Sequence, residues 1–478
     1  MPRTLLRAML RDPRPRVLLP TVPRTGLWLP VAACVALAAL SLLRPSAPTY
    51  DPWAWIIWGR EILHLDLNTI DGPSWKPLPV LFTTPFALFG DSAAPALWLV
   101  VARAGSLGAL VVAYRLASRL GGIAAGVLVV ALFLASPWFV RHGLLGNSEG
   151  LLILFVLWAV DRHLSGRHGQ AFALAVAAGL LRPEAWPFLL LYALWLLWRD
   201  RSRLPWLAGG LALLPILWLL PELWGSGDLW RASERANTPN PNSPAFAEFP
   251  SIAVLGRWAL LPTPPAWVGM GAALVLGLRE RAWRRPGPMG GMAVLAVAWL
   301  VLVMLMTEAG YSGNERYLLA PTALLYVVGA AGLARLAARL VPTRPGRVAA
   351  AAIAALAVGG CVIWGADRLP FLLRDVRFQA KVAEDLDVAI ARAGGRDAIL
   401  ACGTPFTNEF LVQLLAWKLK VHGERIELEP SAGGNVMFAA RDWLGGRVDP
   451  PLDALEGRRD RELAAKTAHW RVETACGA

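Results

Sequence analysis

The chain alternates between long apolar runs and short polar breaks, and the runs recur too often for a soluble core. Apolar periodicity flanked by charge gives eleven candidate membrane helices, at about residues 26–45, 94–117, 121–140, 147–161, 169–181, 185–198, 204–221, 265–279, 288–306, 317–338 and 347–366. Many approach the ~20 residues that cross a bilayer. The runs at 169–181 and 185–198 are short and flank Arg182-Pro183-Glu184, a pattern of two half-helices meeting at a break. With the N-terminus inside, the polar stretches 46–93, 222–264 and 307–316 and the segment from 367 face outward. The 222–264 stretch, rich in Pro, Asn and Ser, reads as irregular. The tail differs: DVRFQAKVAEDLDVAIARA has helical spacing, AILACG reads as a short buried strand, and NEFLVQLLAWKL reads as a helix. The expected fold is an all-α polytopic membrane protein with about eleven transmembrane helices, a long first external loop and a small C-terminal extracytoplasmic α/β domain. The expected organisation is a basic cytoplasmic N-terminus (1–25), a membrane domain (26–366) and the C-terminal domain (367–478).

Composition supports this reading. Apolar residues make up 56% of the chain, and the mean hydropathy is +0.47. A net charge of +13 raises nucleic acid as a partner, but its placement argues against that. Six arginines precede the first run, and the clusters at Arg162/Arg167, Arg199/Arg201/Arg203, Arg279/Arg281/Arg284/Arg285 and Arg339/Arg344/Arg347 fall at alternate boundaries, as the positive-inside rule requires. The basicity orients a multi-pass protein in the cell membrane. Of four cysteines, Cys34 and Cys361 lie in apolar runs, whereas Cys402 and Cys476 lie in the tail and are a candidate disulfide if the tail is outside.

The 46–93 stretch carries the densest chemistry. It sets Asp51, Glu61, Asp66, Asp71 and Lys76 among tryptophans, and Lys76 is the only lysine before Lys381. Acid, cation and aromatic residues at one membrane face point to an amphipathic, anionic, lipid-linked substrate. Trp53, Trp55, Trp58, Trp75 and Trp98 read as an interfacial belt, with stacking on sugar faces as the alternative.

Six segments, in order, resemble the GT-C class of membrane glycosyltransferases, with protein O-mannosyltransferases and lipid A aminoarabinose transferases as the nearest relatives. They are TYDPWAW, WKPLPVLFTTPFALFG, APALWLVVARAGSLGALVVAYRLASRLGG, SPWFVRHGLLGNSEGLLILF, AGLLRPEAWPFLLL and YSGNERYLLAPTALL, spread over residues 26–340. The lysine motif reads Lys-Pro-Leu-Pro where that class has Lys-Pro-Pro-Leu, and the acidic motif reads Asp-Pro where many members have Asp-Glu. The tail resembles no named family. The resemblance implies transfer of a sugar from a polyprenyl-phosphate carrier to a lipid, glycan or protein acceptor of the cell envelope, on the external face.

Each candidate residue has two readings. Asp51, before Pro52, is either a helix N-cap or, as the resemblance implies, the general base for the acceptor hydroxyl. Glu149 opens an apolar run, where the helix dipole favours a carboxylate, and it matches the second acidic position of the class. Lys76 either snorkels to the interface or pairs with the donor phosphate. Arg316 sits at the start of a span, where the dipole disfavours a cation, so it needs an anion: Glu315 or Glu308, or the donor phosphate. Arg182 poses the same choice with Glu184 as the protein partner. Asp71, Trp75, Arg141, His142 and Glu315 are candidate cavity-lining residues, with solvated or interfacial roles as the alternative. None of the six histidines has metal-ligand spacing, and no cofactor is assigned; a divalent metal on Asp51 and Glu149 stays open. The rival functions are a transporter or flippase of lipid-linked sugars and a non-catalytic envelope assembly factor. The nearly charge-free spans, with Arg103 the exception, and the lack of a sequence repeat weigh against transport.

Overall fold

The computed structural model describes residues 28–281, 284, 287–340, 344–430, 434–451 and 461–476; the basic N-terminus (1–25) lies outside them. The first helices are α1 (Trp28–Ser41), α2 (Tyr50–Leu63), α3 (Pro77–Phe86), α4 (Ala93–Gly121), α5 (Ile123–Leu134), α6 (Pro137–Leu144), α7 (Glu149–Leu164), α8 (His168–Gly179) and α9 (Trp186–Arg199). They are followed by α10 (Leu204–Ser226), α11 (Arg231–Ala236), α12 (Pro250–Ala259), α13 (Pro264–Arg279), α14 (Pro288–Glu308), α15 (Leu319–Leu340), α16 (Arg344–Arg392), α17 (Gly395–Cys402) and α18 (Val412–Leu419). Each of the eleven expected runs carries helix within its described residues. Among the described residues five helices are long and apolar enough to cross a membrane, or up to seven if two bent pairs each count as one span.

Proline sets the bends. The 121–140 run, read as one span, turns by 69° between α5 and α6, because Pro137 holds Ser136 extended. The 222–264 stretch read as irregular holds α11 and α12. The break after α8 is as expected: Arg182 is extended, Pro183–Ala185 form one 3-10 turn, and α9 follows.

α16 runs unbroken across the expected domain boundary at 366/367 and carries Pro370 inside it. AILACG is not a strand. It forms most of α17, and the strand begins two residues later, because a short apolar run fits either element and Gly394 and Gly395, both at positive φ, restart the chain as a helix. The small sheet comprises β1 (Thr404–Phe406), β2 (Asn435–Ala439), β3 (Glu462–Lys466) and β4 (Arg471–Ala475), in the order β1-β2-β4-β3. β1 and β2 are parallel and the other pairs antiparallel, so β2 is central and buried throughout. Trp470 packs under Phe438 and donates to the Val382 carbonyl at 2.8 Å, which fastens the sheet to α16. A disulfide joins Cys402 at the end of α17 to Cys476 just after β4.

The tryptophans expected at the interface lie inside. Trp53, Trp55, Trp58, Trp75 and Trp98 are all buried. Trp55 meets Trp98 edge-on at 5.4 Å, Trp58 meets Trp75 at 5.2 Å, and Trp53 meets Trp417 of α18 at 6.0 Å. Each large ring removes apolar area from water, so the first loop folds as part of the core. α2 is thereby held between the helical bundle and the C-terminal module.

Candidate functional site

Five charged side chains from four distant segments meet beside one cavity. Asp51 lies in the first turn of α2, and the cap position belongs to Thr49, so the N-cap reading of Asp51 does not hold. Lys76 stands just ahead of α3 with an extended backbone, held so by Pro77. Glu149 is the first residue of α7, Arg182 sits at the break before α9, and Arg316 lies in the 3-10 turn Glu315–Leu318 that leads into α15.

Both Lys76 and Arg316 reach the same oxygen of Asp51. Lys76 Nζ lies 3.3 Å from Oδ2, and Arg316 Nη2 donates to Oδ2 at 2.7 Å. Arg316 Nε lies 3.6 Å from Glu149 Oε1, which also accepts from Arg182 Nη2 at 2.6 Å. Arg316 thus bridges the two carboxylates. Neither of its expected partners holds it: Glu315 pairs with Arg257 at 2.9 Å, and Glu308 accepts from the Ser251 amide. The same is true of Arg182, because Glu184 accepts from the Tyr311 hydroxyl at 2.9 Å while Arg182 lies over the Tyr317 ring at 4.5 Å. Lys76 does not snorkel; it is buried, with its ammonium 4.9 Å from the centre of the Trp55 ring.

Burial would raise the Asp51 carboxyl, but Arg316 and Lys76 outweigh it and hold the group well below the usual carboxylate range. Burial and the neighbouring guanidiniums of Arg182 and Arg316 lower the Lys76 ammonium to about 8, against the pull of Asp51. Several polar atoms here are buried without a hydrogen-bond partner among the described residues: Glu149 Oε2, Glu184 Oε2, Arg182 Nε and both ring nitrogens of His142. Such atoms are costly unless something polar meets them.

The cavity has a volume of about 870 Å³ and is lined by Asp51, Lys76, Arg182 and Arg316, and also by Arg141, His142 and Glu315. Asp71 and Trp75 do not line it. Asp71 accepts from Gln413 at 3.1 Å, and the Trp75 indole is turned into the core, donating to the Leu217 carbonyl at 2.9 Å. Among the described residues no group of three His, Cys, Asp or Glu is placed to hold a metal ion, and a guanidinium stands between Asp51 and Glu149.

Sequence reading missed several residues. Asn147 accepts from Thr49 at 3.4 Å and lies 3.5 Å from Arg316 Nη1. The Tyr311 and Tyr317 rings meet tilted, with centres 4.8 Å apart, beside Arg182. The signal was present in GNSEG and YSGNERY, which place these residues next to the charged ones. For the cavity wall formed by Glu409, Phe410, Asp442 and Trp443 there was none.

No protein-family model matches the sequence, and no curated protein matches it. The fold, however, is that of ArnT. The crystal structure of ArnT from Cupriavidus metallidurans bound to undecaprenyl phosphate superposes with a TM-score of 0.55 at 14% identity, covering 94% of this chain and 98% of that one. The apo structure of the same protein gives 0.54 at 15% identity, with the same coverage. The GT-C fold implied by the motif order is therefore the fold of this chain.

Proposed function

We propose that this protein is a membrane glycosyltransferase that takes a sugar from a polyprenyl-phosphate carrier and passes it to a cell-envelope acceptor on the external face. The observation that carries this reading is Asp51, held between Lys76 and Arg316 on the wall of a cavity, in a fold shared with an ArnT structure bound to undecaprenyl phosphate.

Asp51 in its paired state is a weak base. A donor phosphate seated on Lys76 and Arg316 would draw both cations off Oδ2 and restore basicity to the carboxylate beside the sugar. Asp51 then takes the proton of the acceptor hydroxyl, and that oxygen attacks the anomeric carbon from the face opposite the phosphate. The bond from the anomeric carbon to the phosphate oxygen breaks, its electron pair leaves with the polyprenyl phosphate, and the anomeric configuration inverts. Lys76, Arg316 and Arg182 stabilise the charge on the departing phosphate, and Glu149 keeps Arg182 aimed at it. In this reading residues 26–366 form the membrane domain, and residues 367–478 form a domain outside it, where the Cys402–Cys476 bridge is at home.

The test is turnover in lipid nanodiscs with a panel of polyprenyl-phosphate sugars, following release of polyprenyl phosphate. One donor should turn over, and Asp51→Asn should abolish the turnover. Wild-type rates in Asp51→Asn would remove Asp51 from the chemistry, and binding of no donor would favour transport.

A further inference from the structure

The cavity is chemically two-sided. Lys76, Arg182 and Arg316 converge on the side formed by α2, α3, the break before α9 and the turn before α15, while Arg141 and Arg235 also line the cavity. The C-terminal module supplies the opposite wall with Glu409, Phe410, Asp442 and Trp443, and α16 adds Gln379. This wall begins next to Asp51, because the neighbouring Tyr50 meets the Phe410 ring edge-on at 6.3 Å.

Its groups are built in place. Glu409 accepts from the Asn240 amide at 2.6 Å. Asp375 gathers Arg141 of α6 at 3.4 Å, Gln379 Nε2 at 2.9 Å and the Leu444 amide at 2.9 Å, which fixes the Trp443 loop against α6 and α16. Trp443 is 42% exposed, and its ring lies so close over Gly445 and Gly446 that a side chain at Gly445 would collide with it. His142, next to Arg141 on α6, lines the cavity too and lies stacked on Trp138 at 5.7 Å; it is only 4% exposed, yet neither ring nitrogen has a partner among the described residues.

We propose that this wall is the acceptor subsite and that it takes a neutral, polyhydroxylated sugar, held by Asp442, Glu409, Gln379 and His142 with Trp443 as its stacking face. Its role as an acceptor site rests on the transferase reading above, whereas its binding chemistry stands on the wall itself. Each sugar hydroxyl both donates and accepts, which matches carboxylate oxygens, an amide and an imidazole presented together. The exposed indole offers an apolar plane to the C–H face of a pyranose ring. Glu409 and Asp442 outnumber Arg235 at this wall, so it lacks the converging cations that would hold an anion on the donor side.

The experiment uses the full-length protein in nanodiscs, titrated calorimetrically with neutral methyl glycosides and short neutral oligosaccharides and, separately, with polyprenyl phosphate. Asp442→Asn, Glu409→Gln and Trp443→Ala accompany the wild type, each with a thermal unfolding curve to establish folding. The expected result is that at least one neutral saccharide binds and that each folded variant weakens it about tenfold or more, through loss of one hydrogen bond to a charged group at Asp442 or Glu409 and of the stacking plane at Trp443, with polyprenyl phosphate affinity held within a factor of about two. Saccharides that bind wild type and variants alike, or do not bind at all, overturn the subsite. Polyprenyl phosphate binding in that case leaves the transferase reading intact and turns the acceptor to a lipid or protein. Variant-sensitive saccharide binding without any polyprenyl phosphate binding upholds the subsite and removes the donor.

Discussion

Arg316 Nη2 lies 2.7 Å from Asp51 Oδ2, a contact across 265 positions that joins the start of α15 to the first turn of α2. In the proposed mechanism it occupies the carboxylate that acts as base, so the same arginine would restrain that base at rest and serve the phosphate when donor binds. Arg316→Ala is expected to lower kcat/KM by about 10²–10³, the usual cost of one preorganised charge-stabilising donor. Arg316→Lys should recover only part, because an ammonium cannot bridge Asp51 and Glu149 together. Steady-state kinetics on a single donor check this; equal activity in Arg316→Ala would remove Arg316 from the donor site.

If Lys76 holds the donor phosphate as proposed, it sets a pH limit on donor binding. Its ammonium, lowered by burial and by Arg182 and Arg316 to about 8 from an ordinary 10.5, is increasingly neutral above that value. A neutral amine cannot pair with phosphate, so donor affinity is expected to fall as pH rises through about 8, and binding there should take up a proton. The same shift makes the folded state hold fewer protons than the unfolded chain between 8 and 10.5, so this group's burden on stability is present below 8 and relieved above it. Lys76→Arg should flatten the fall in affinity, because a guanidinium stays charged. Polyprenyl phosphate titrations at pH 7 and pH 9 in both proteins read this directly.

The cations of the site were legible because each breaks a local rule. Lys76 is a lone lysine in an arginine-rich chain, Arg316 is a cation at a helix start, and Arg182 sits at a proline break. Their partners were not legible, since Glu315 and Glu308 are near Arg316 in sequence while Asp51 and Glu149 are near it only in the fold. The capping alternative for Asp51 arose because Asp-Pro fits a helix start equally well two residues later than the true one. The tryptophans of the first loop carried the composition of an interfacial belt, yet α2 folds inward under α18 and buries them. The C-terminal wall of the cavity depends on α16 continuing past the expected boundary, and no local pattern announces that.

Glu61, near the end of α2, joins that helix to the C-terminal module through His422 Nδ1 at 2.7 Å, while His422 Nε2 lies 3.2 Å from Asp66. Burial raises the Glu61 carboxyl to about 7, against the Asn68 amide and His422. The folded protein therefore keeps a proton that the unfolded chain releases between 4.5 and about 7. This group favours folding at low pH, and its contribution is lost as pH rises through about 7. Glu61→Gln, which keeps an acceptor and carries no charge, is expected to gain stability relative to wild type at pH 8 and not at pH 4. Thermal unfolding midpoints at the two pH values decide it: an equal difference at both would mean that Glu61 does not titrate on unfolding.

The Cys402–Cys476 bridge bears on both stability and compartment. It closes a loop with a sequence separation of 74 that contains α18 and all four strands of the sheet. Chain-entropy reasoning gives such a closure about 4 kcal/mol, and the β1–β2–β4–β3 sheet has few strands with which to replace it. Because β2 leads the loop back toward Asp442 and Trp443, loosening the module should also disturb the cavity wall those residues line. Cys402→Ser with Cys476→Ser is therefore expected to expose the segment after α17 to limited proteolysis while α4 and α15, packed in the bundle, stay protected. The compartment is read by thiol alkylation of protein taken directly from cells. If the module lies outside the cytoplasm, both cysteines label only after reduction. Labelling without reductant in intact, folded protein would place the module on the reducing side of the membrane and overturn the external assignment of the site it covers.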